Sequence, residues 1–121
     1  MSDEPEELDD VQAHVQEKRL LEELDRDGEL AQLRELMSQE PARDFLWRVL
    51  TRCHVYGVVY NKNFGDMAFA EGQRNIGLWL LSEICEADPS AEIAMKRKAN
   101  DLAFQAAQKQ KTRRRRPSAI P

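Results

Sequence analysis

The sequence predicts an all-α protein: a small bundle of four to five helices with an acidic N-terminal helix and a disordered basic C-terminal tail. Apolar residues recur at helical spacing along most of the 121 residues, and one irregular stretch, residues 54–65, interrupts them. Seven of the eight aromatic residues lie between positions 45 and 79. The packed part of the chain is therefore expected at its centre.

The N-terminal third predicts two helices separated by a break. Leu8, Val11 and Val15 follow one another in steps of three and four, which makes a narrow stripe that needs a partner to be stable. Residues 25–28, Asp-Arg-Asp-Gly, are typical of a helix end, and a second short helix is expected to end near Gln39. Charge and helix patterns together divide the chain into an acidic lead, a helical domain and a basic tail, at residues 1–29, 30–109 and 110–121.

The centre of the chain predicts two core helices joined by a loop. Residues 41–53 form a broad apolar stripe, with Pro41 at a position that sacrifices no hydrogen bond. Residues 54–65 indicate an ordered loop, and Asp66 is expected to cap the longest helix, at about residues 67–87. The predicted core residues on these two helices are Phe45, Trp47, Val49, Leu50, Ile76, Trp79, Leu80 and Ile84.

The last helix is expected to begin with Asp88 as its cap and Pro89 as its first residue. It is expected to end near Lys109, with a stripe of small and apolar residues facing inward at Met95, Ala99, Leu102, Ala103 and Ala106. Residues 1–7 and 112–121 contain too few apolar side chains to offset the entropy of ordering, so both ends are expected to be disordered.

The net charge of −4 conceals a strong asymmetry along the chain. Residues 1–40 carry −10, residues 41–89 carry −1 and residues 90–121 carry +7. Such a chain is expected to bind differently charged partners at its two ends, or to pair the ends with each other. The acidic N-terminus has no apolar leader, and no apolar run is long enough to cross a membrane, so cytoplasmic synthesis is expected.

No residue constellation indicates catalysis. The chain has two histidines, no nucleophile beside a base and its orienting acid, and no phosphate-binding glycine loop. The acidic residues at 22–29 lack the spacing of a calcium loop, and the adjacent Cys53 and His54 match no zinc-ligand spacing. We therefore expect a non-enzymatic protein without metal or cofactor, in which Cys53 and Cys85 are buried structural thiols.

The most distinctive short feature is the basic run of Arg113, Arg114, Arg115 and Arg116. Guanidinium groups on a mobile tail neutralise phosphates without reading bases, so non-specific DNA contact is one interpretation. An acidic protein surface, including this chain's own N-terminal segment, is a second, and a solvated tail without a partner is the third. The sequence leaves these three open.

Two stretches carry a resemblance to a known family. Residues 43–56 contain Phe-Leu-Trp followed by a cysteine, and residues 69–84 contain Glu-Gly-Gln-Arg-Asn-Ile-Gly. Together they resemble small helical proteins of tailed bacteriophages, of the type described in a Bordetella phage. The resemblance covers about residues 30–105, and its most specific positions are Glu71, Gly72, Arg74 and Gly77.

The resemblance implies a structural protein made in the host cytoplasm and found in the virion, as a minor component in the head or at the head–tail junction, or used in assembly. Its partners would be other phage structural proteins and further copies of the chain. A scaffold-like assembly chaperone and a small DNA-binding regulator are the alternatives, and the second lacks a basic recognition face. Glu71, Gly72, Arg74 and Gly77 are expected to maintain the fold, with the glycines permitting close packing and Arg74 bracing the loop at 54–65.

Overall fold

The computed structural model describes residues 4–115, with side chains from residue 7 onward. These residues form four α-helices, and the predicted all-α bundle is confirmed. The helices are α1 (Glu4–Met37), α2 (Glu40–Arg52), α3 (Phe64–Ala87) and α4 (Ala91–Arg115). Residues 1–3 and 116–121, which include Arg116, lie outside the described part of the chain.

Helix α1 is continuous, so the break predicted at residues 25–28 is wrong. Gly28 costs a helix interior about 1 kcal/mol relative to alanine, but this turn is held against α3. The guanidinium of Arg26 donates two hydrogen bonds to Glu83, at 2.6 and 3.0 Å, and one to Glu86 at 2.7 Å. The helix also includes residues 4–7, which the sequence predicts to be part of a disordered lead.

A left-handed residue ends α2. His54 has a φ of 57°, a region in which histidine is among the better tolerated residues that are not glycine. Its N–H donates to the Thr51 carbonyl at 3.1 Å, and the Val55 N–H donates to the Leu50 carbonyl at 3.3 Å. This is the Schellman pattern, and Val55 and Leu50 complete it by packing together in the core.

Helix α3 begins at Phe64, and Asn63 caps it. The Asn63 side-chain oxygen accepts hydrogen bonds from the backbone N–H groups of Gly65 and Asp66, at 2.9 and 3.2 Å. The cap predicted at Asp66 is therefore wrong, and Asp66 lies inside the first turn. A carboxylate there is still favourable, because it lies near the positive end of the helix dipole.

Helix α4 begins at Ala91, two residues after the predicted Pro89. Asp88 precedes it in a turn, where its carboxylate accepts hydrogen bonds from the backbone N–H and the hydroxyl of Ser90, at 3.0 and 2.6 Å. The helix continues to Arg115, so the tail predicted to be disordered is helical as far as it is described. Residues 99–115 are rich in Ala, Gln, Lys and Arg, which are good helix formers.

The core is small and involves all four helices. Its buried members are Met37, Leu50, Val55, Ile84, Ala91 and Met95. Three further members of the predicted core are half-buried, namely Trp47, Val49 and Leu80. The prediction is wrong for Phe45, Ile76 and Trp79, whose side chains are 55%, 64% and 61% exposed. The side that each helix buries is centred elsewhere, at Leu50 on α2 and at Gly77, Ile84 and Ala87 on α3.

Both ends of the described part of the chain leave this core as single helices. Every residue from 7 to 25 is exposed, and so is every residue from 100 to 115. We call residues 4–25 of α1 the acidic arm and residues 100–115 of α4 the basic arm. The inward stripe predicted for the last helix therefore holds only at its base, where Met95 is buried, and not at Leu102, which is 55% exposed.

Two isoleucines of α3 test this assignment of the core. Ile84→Ala should lower the free energy of unfolding by about 2–5 kcal/mol, because it removes a fully buried side chain and leaves a cavity. Ile76→Ala should change it by no more than about 0.5 kcal/mol, because that side chain is mostly exposed. Urea denaturation of both variants measures the difference, and equal losses would contradict the assignment.

Candidate functional site

Gly77 is the member of the Glu71–Gly77 motif whose small size the packing requires. A Cβ atom at this position would lie 2.5 Å from Cys53 Cβ and 2.6 Å from Val55 Cγ2. A Cβ at Gly72 would have no atom within 4 Å. The close approach expected at both glycines is therefore present at Gly77 and absent at Gly72.

Of the other two motif residues, Arg74 is the one expected to brace the loop at 54–65. Arg74 is half-buried, and its Nε atom is buried without a hydrogen-bond partner among the described residues. The Nε atom of Arg74 therefore makes no hydrogen bond to the loop at 54–65. Glu71 is exposed on the surface of α3. Within the motif, Gly77 therefore has a packing role, Arg74 lies half-buried and Glu71 lies at the surface.

A second group of residues surrounds Glu92 in the first turn of α4. Its carboxylate accepts hydrogen bonds from the Tyr56 hydroxyl at 2.9 Å and from the Cys85 thiol at 3.3 Å. The Lys96 ammonium pairs with the same carboxylate at 2.9 Å and lies 4.5 Å from the centre of the Tyr56 ring. We call these four residues the Glu92 cluster; it joins α3, α4 and the loop after α2.

The Glu92 cluster favours an ionised carboxylate beside a neutral thiol and phenol. The ion pair with Lys96, followed by the hydrogen bond from Tyr56, lowers the pKa of Glu92 below its ordinary value of 4.5. Burial raises the pKa of the Cys85 thiol and of the Tyr56 phenol, and the carboxylate raises both further. A thiol with a raised pKa is a weak nucleophile, so the geometry favours a structural role. Both cysteines are half-buried rather than fully buried.

An open groove of about 810 Å³ lies between α2 and α4. Its floor is apolar and includes Trp47, Met95 and Leu102. On its rim the Lys98 ammonium bonds to Asp44 at 2.7 Å and to Glu40 at 2.6 Å. An apolar floor with a charged rim is suited to the apolar side of a helix rather than to a small polar substrate. The groove also leads onto the base of the basic arm at Leu102.

The arginine run does not form a single patch within the described chain. Arg113, Arg114 and Arg115 are helical, so successive side chains point about 100° apart around the axis. Only Arg113 continues the side of α4 that packs on the core, through Leu102, Ala106 and Lys109 in steps of three and four. A flat partner can therefore meet Lys109 and Arg113 together, but not all the arginines at once.

Two further properties concern the described residues as a whole. They contain no group of three or more His, Cys, Asp or Glu residues placed to hold a metal ion. None of the helices between residues 4 and 115 has the length and apolar character needed to cross a bilayer.

The part of the chain that matches a known family is the part that packs into the core. A family model described as Bbp19-like phage protein matches residues 33–97. This range begins at the end of α1, contains α2 and α3 completely and stops in α4, so both arms lie outside it. The resemblance to a phage family is confirmed. No curated protein and no solved structure matches the chain.

The two motif glycines provide a matched pair of substitutions. Gly72→Ala should raise the free energy of unfolding by about 0.5–1 kcal/mol, because alanine is the better helix former and its methyl group meets no neighbour. Gly77→Ala should lower it by about 1–3 kcal/mol, because the methyl group overlaps Cys53 and Val55. Thermal and urea denaturation measure both, and the same sign for the two variants would contradict the packing described.

The lowered pKa of Glu92 predicts a pH-dependent contribution to stability. A carboxyl with a lowered folded-state pKa stabilises the fold above its unfolded pKa and loses that contribution as the pH falls through the folded value. Glu92→Gln should therefore lower the free energy of unfolding at neutral pH, and the difference from the parent should shrink below about pH 4.5. Urea denaturation across this range tests it, with Glu71→Gln as the exposed control. A difference that does not vary with pH would contradict the ionic role.

Proposed function

This chain belongs to the Bbp19-like phage protein family, and on that premise we propose that it is a non-enzymatic structural protein of a tailed bacteriophage. It acts as a minor component of the virion, in the head or at the head–tail junction, or as a part used during assembly. Its partners are other structural proteins of the particle and further copies of itself. Beside the family match, the observation that carries this proposal is a small buried core with many large apolar side chains exposed around it.

The exposed apolar side of α3 supports a role in assembly. Phe69, Ile76 and Trp79 lie seven and three residues apart, on one side of the helix, and are 69%, 64% and 61% exposed. Large apolar side chains grouped on a surface mark contacts with other proteins. Phe45 adds a further exposed aromatic ring on α2, with the Arg48 guanidinium 5.5 Å from its centre. A protein that joins neighbours in a particle requires surfaces of this kind.

The polar groups support a non-enzymatic role. In the Glu92 cluster the carboxylate is occupied by three donors, and the neighbouring thiol and phenol have raised pKa values. A general base needs an available lone pair near substrate, and a nucleophile needs a lowered pKa or an adjacent base. Glu92 does lie beside the Cys85 thiol, but its oxygens are shared among three donors and the pKa of the thiol is raised, so the cluster is suited to joining helices.

Quantitative mass spectrometry of purified mature virions tests the proposal. We expect the chain in a fixed ratio to the major capsid protein, because a structural component occupies defined positions. Immature particles purified in parallel separate the scaffold-like alternative, in which the chain is present before maturation and absent afterwards. A chain abundant in infected cells but absent from both kinds of particle would overturn the structural role.

A further inference from the structure

The two arms of the chain carry opposite charge. The acidic arm has nine acidic and two basic residues, and the basic arm has five basic residues and one acidic residue. Both arms are exposed wherever their side chains are described. Among those described side chains no ion pair joins one arm to the other, since the pairs present involve Arg26, Lys96 and Lys98. The complementary charges of one chain are thus left to solvent.

On the acidic arm, the side of α1 that packs in the core continues outward. Leu33 and Met37 contact the core, and steps of three and four residues lead from them along the same side of the helix. This side carries Leu8, Val11 and Val15, which are 60%, 59% and 45% exposed. The arm therefore presents a short apolar stripe with nothing against it among the described residues. Arg26, Glu22 and Lys18 separate this stripe from the core along the same side of the helix.

On the basic arm, the apolar side continues from the core without a charged interruption as far as Ala106. The side of α4 that is buried at Ala91 and Met95 leads in helical steps to Leu102 and Ala106, and then to Lys109 and Arg113. At its base lies the apolar floor of the groove between α2 and α4. The arm thus combines a short apolar surface with positive charge, which is complementary to the acidic arm in both respects.

We propose that the acidic arm of one copy docks along the basic arm of a second copy. The second copy's acidic arm returns the contact, so the dimer is reciprocal and closed, with two equivalent arm–arm interfaces. The stripe of Leu8, Val11 and Val15 packs on Leu102, Ala106 and the groove floor, while the surrounding carboxylates meet Lys109 and Arg113. The basic arm spans about 24 Å at 1.5 Å per residue, and the acidic arm is longer, so the acidic arm can cover the basic arm along its whole length.

This inference rests on the self-association named in the proposed function and adds the surfaces that form it, whereas the virion role does not depend on it. A chain that is found in virions and is monomeric in solution would overturn only the dimer. A chain that dimerises through its arms and is absent from particles would overturn only the proposed function. The two experiments therefore distinguish failure of the dimer from failure of the virion role.

Sedimentation of the full chain at two ionic strengths gives the first test. Because the interface pairs opposite charges, dimerisation should weaken by about tenfold or more between about 0.05 M and 0.5 M salt. A chain that stays monomeric at both salt concentrations, or a dimer whose affinity does not depend on salt, would overturn the proposal.

A charge exchange gives the decisive test. One variant reverses the sign of the acidic arm, with Glu7→Lys, Asp10→Lys, Glu17→Lys and Glu22→Lys. The other reverses the basic arm, with Lys109→Glu, Lys111→Glu and Arg113→Glu. Each variant alone has two arms of like charge and should be monomeric. An equimolar mixture should restore a heterodimer, because each interface then pairs opposite charges again.

A matched control separates the arms from net charge. Arg52→Glu, Lys62→Glu and Arg97→Glu reverse three exposed cations outside the basic arm and should leave dimerisation within about twofold of the parent. Circular dichroism confirms that each variant keeps its helices, and the mixture provides a readout that only folded chains can give. Dimers that persist in the separate variants, or a mixture that stays monomeric, would overturn the proposal. So would a monomeric parent whose basic arm binds a random-sequence duplex, which would assign that arm to DNA.

Discussion

The fold depends on the close contact of Gly77 with Cys53 and Val55, which sets α3 against the end of α2. A side chain at position 77 has no room, so the two helices meet where one of them has only hydrogen. The left-handed residue His54 makes this possible, because it ends α2 and turns Val55 back onto Leu50. His54, Gly77 and Val55 together fix how α2 and α3 pack. Helices α1 and α4 pack against this pair.

Polar contacts orient the other helices around that pair. Arg26 fixes α1 on Glu83 and Glu86 of α3, Arg34 donates to the Ala87 carbonyl at 2.7 Å, and Lys98 ties α4 to α2. Partly exposed ion pairs contribute little net stability, so their main effect is to select one arrangement of helices that bury few side chains. The Glu92 cluster has the same effect between α3, α4 and the loop, through hydrogen bonds as well as charge.

The sequence allowed the helices near the core to be predicted well, because local signals determine them. The helical spacing and Pro41 placed α2 within about a residue of its observed ends. The sequence around Gly28 indicates a helix end, so the unbroken α1 was not predicted. The contacts that hold this turn join Arg26 to residues 57 and 60 positions away, which the local sequence does not reveal. The core of α3 was assigned only in part, since apolar residues surround this helix and Ile76 has the same local appearance as Ile84. Gly72 and Gly77 likewise look alike in the sequence. They differ only in the residues packed against them, Cys53 and Val55 at Gly77 and none at Gly72.

The charge and the exposed apolar faces of the two arms lie outside the part of the chain that matches the family. The family match covers residues 33–97, so the charge of both arms is outside it. A single helix without packing is marginal in water, because its stability comes mainly from an apolar face that another surface covers. Both arms have such a face, at Leu8 to Val15 and at Leu102 to Ala106, and both extend away from the core. In the proposed dimer, the arm of the second copy covers these faces and so stabilises the helices as it binds.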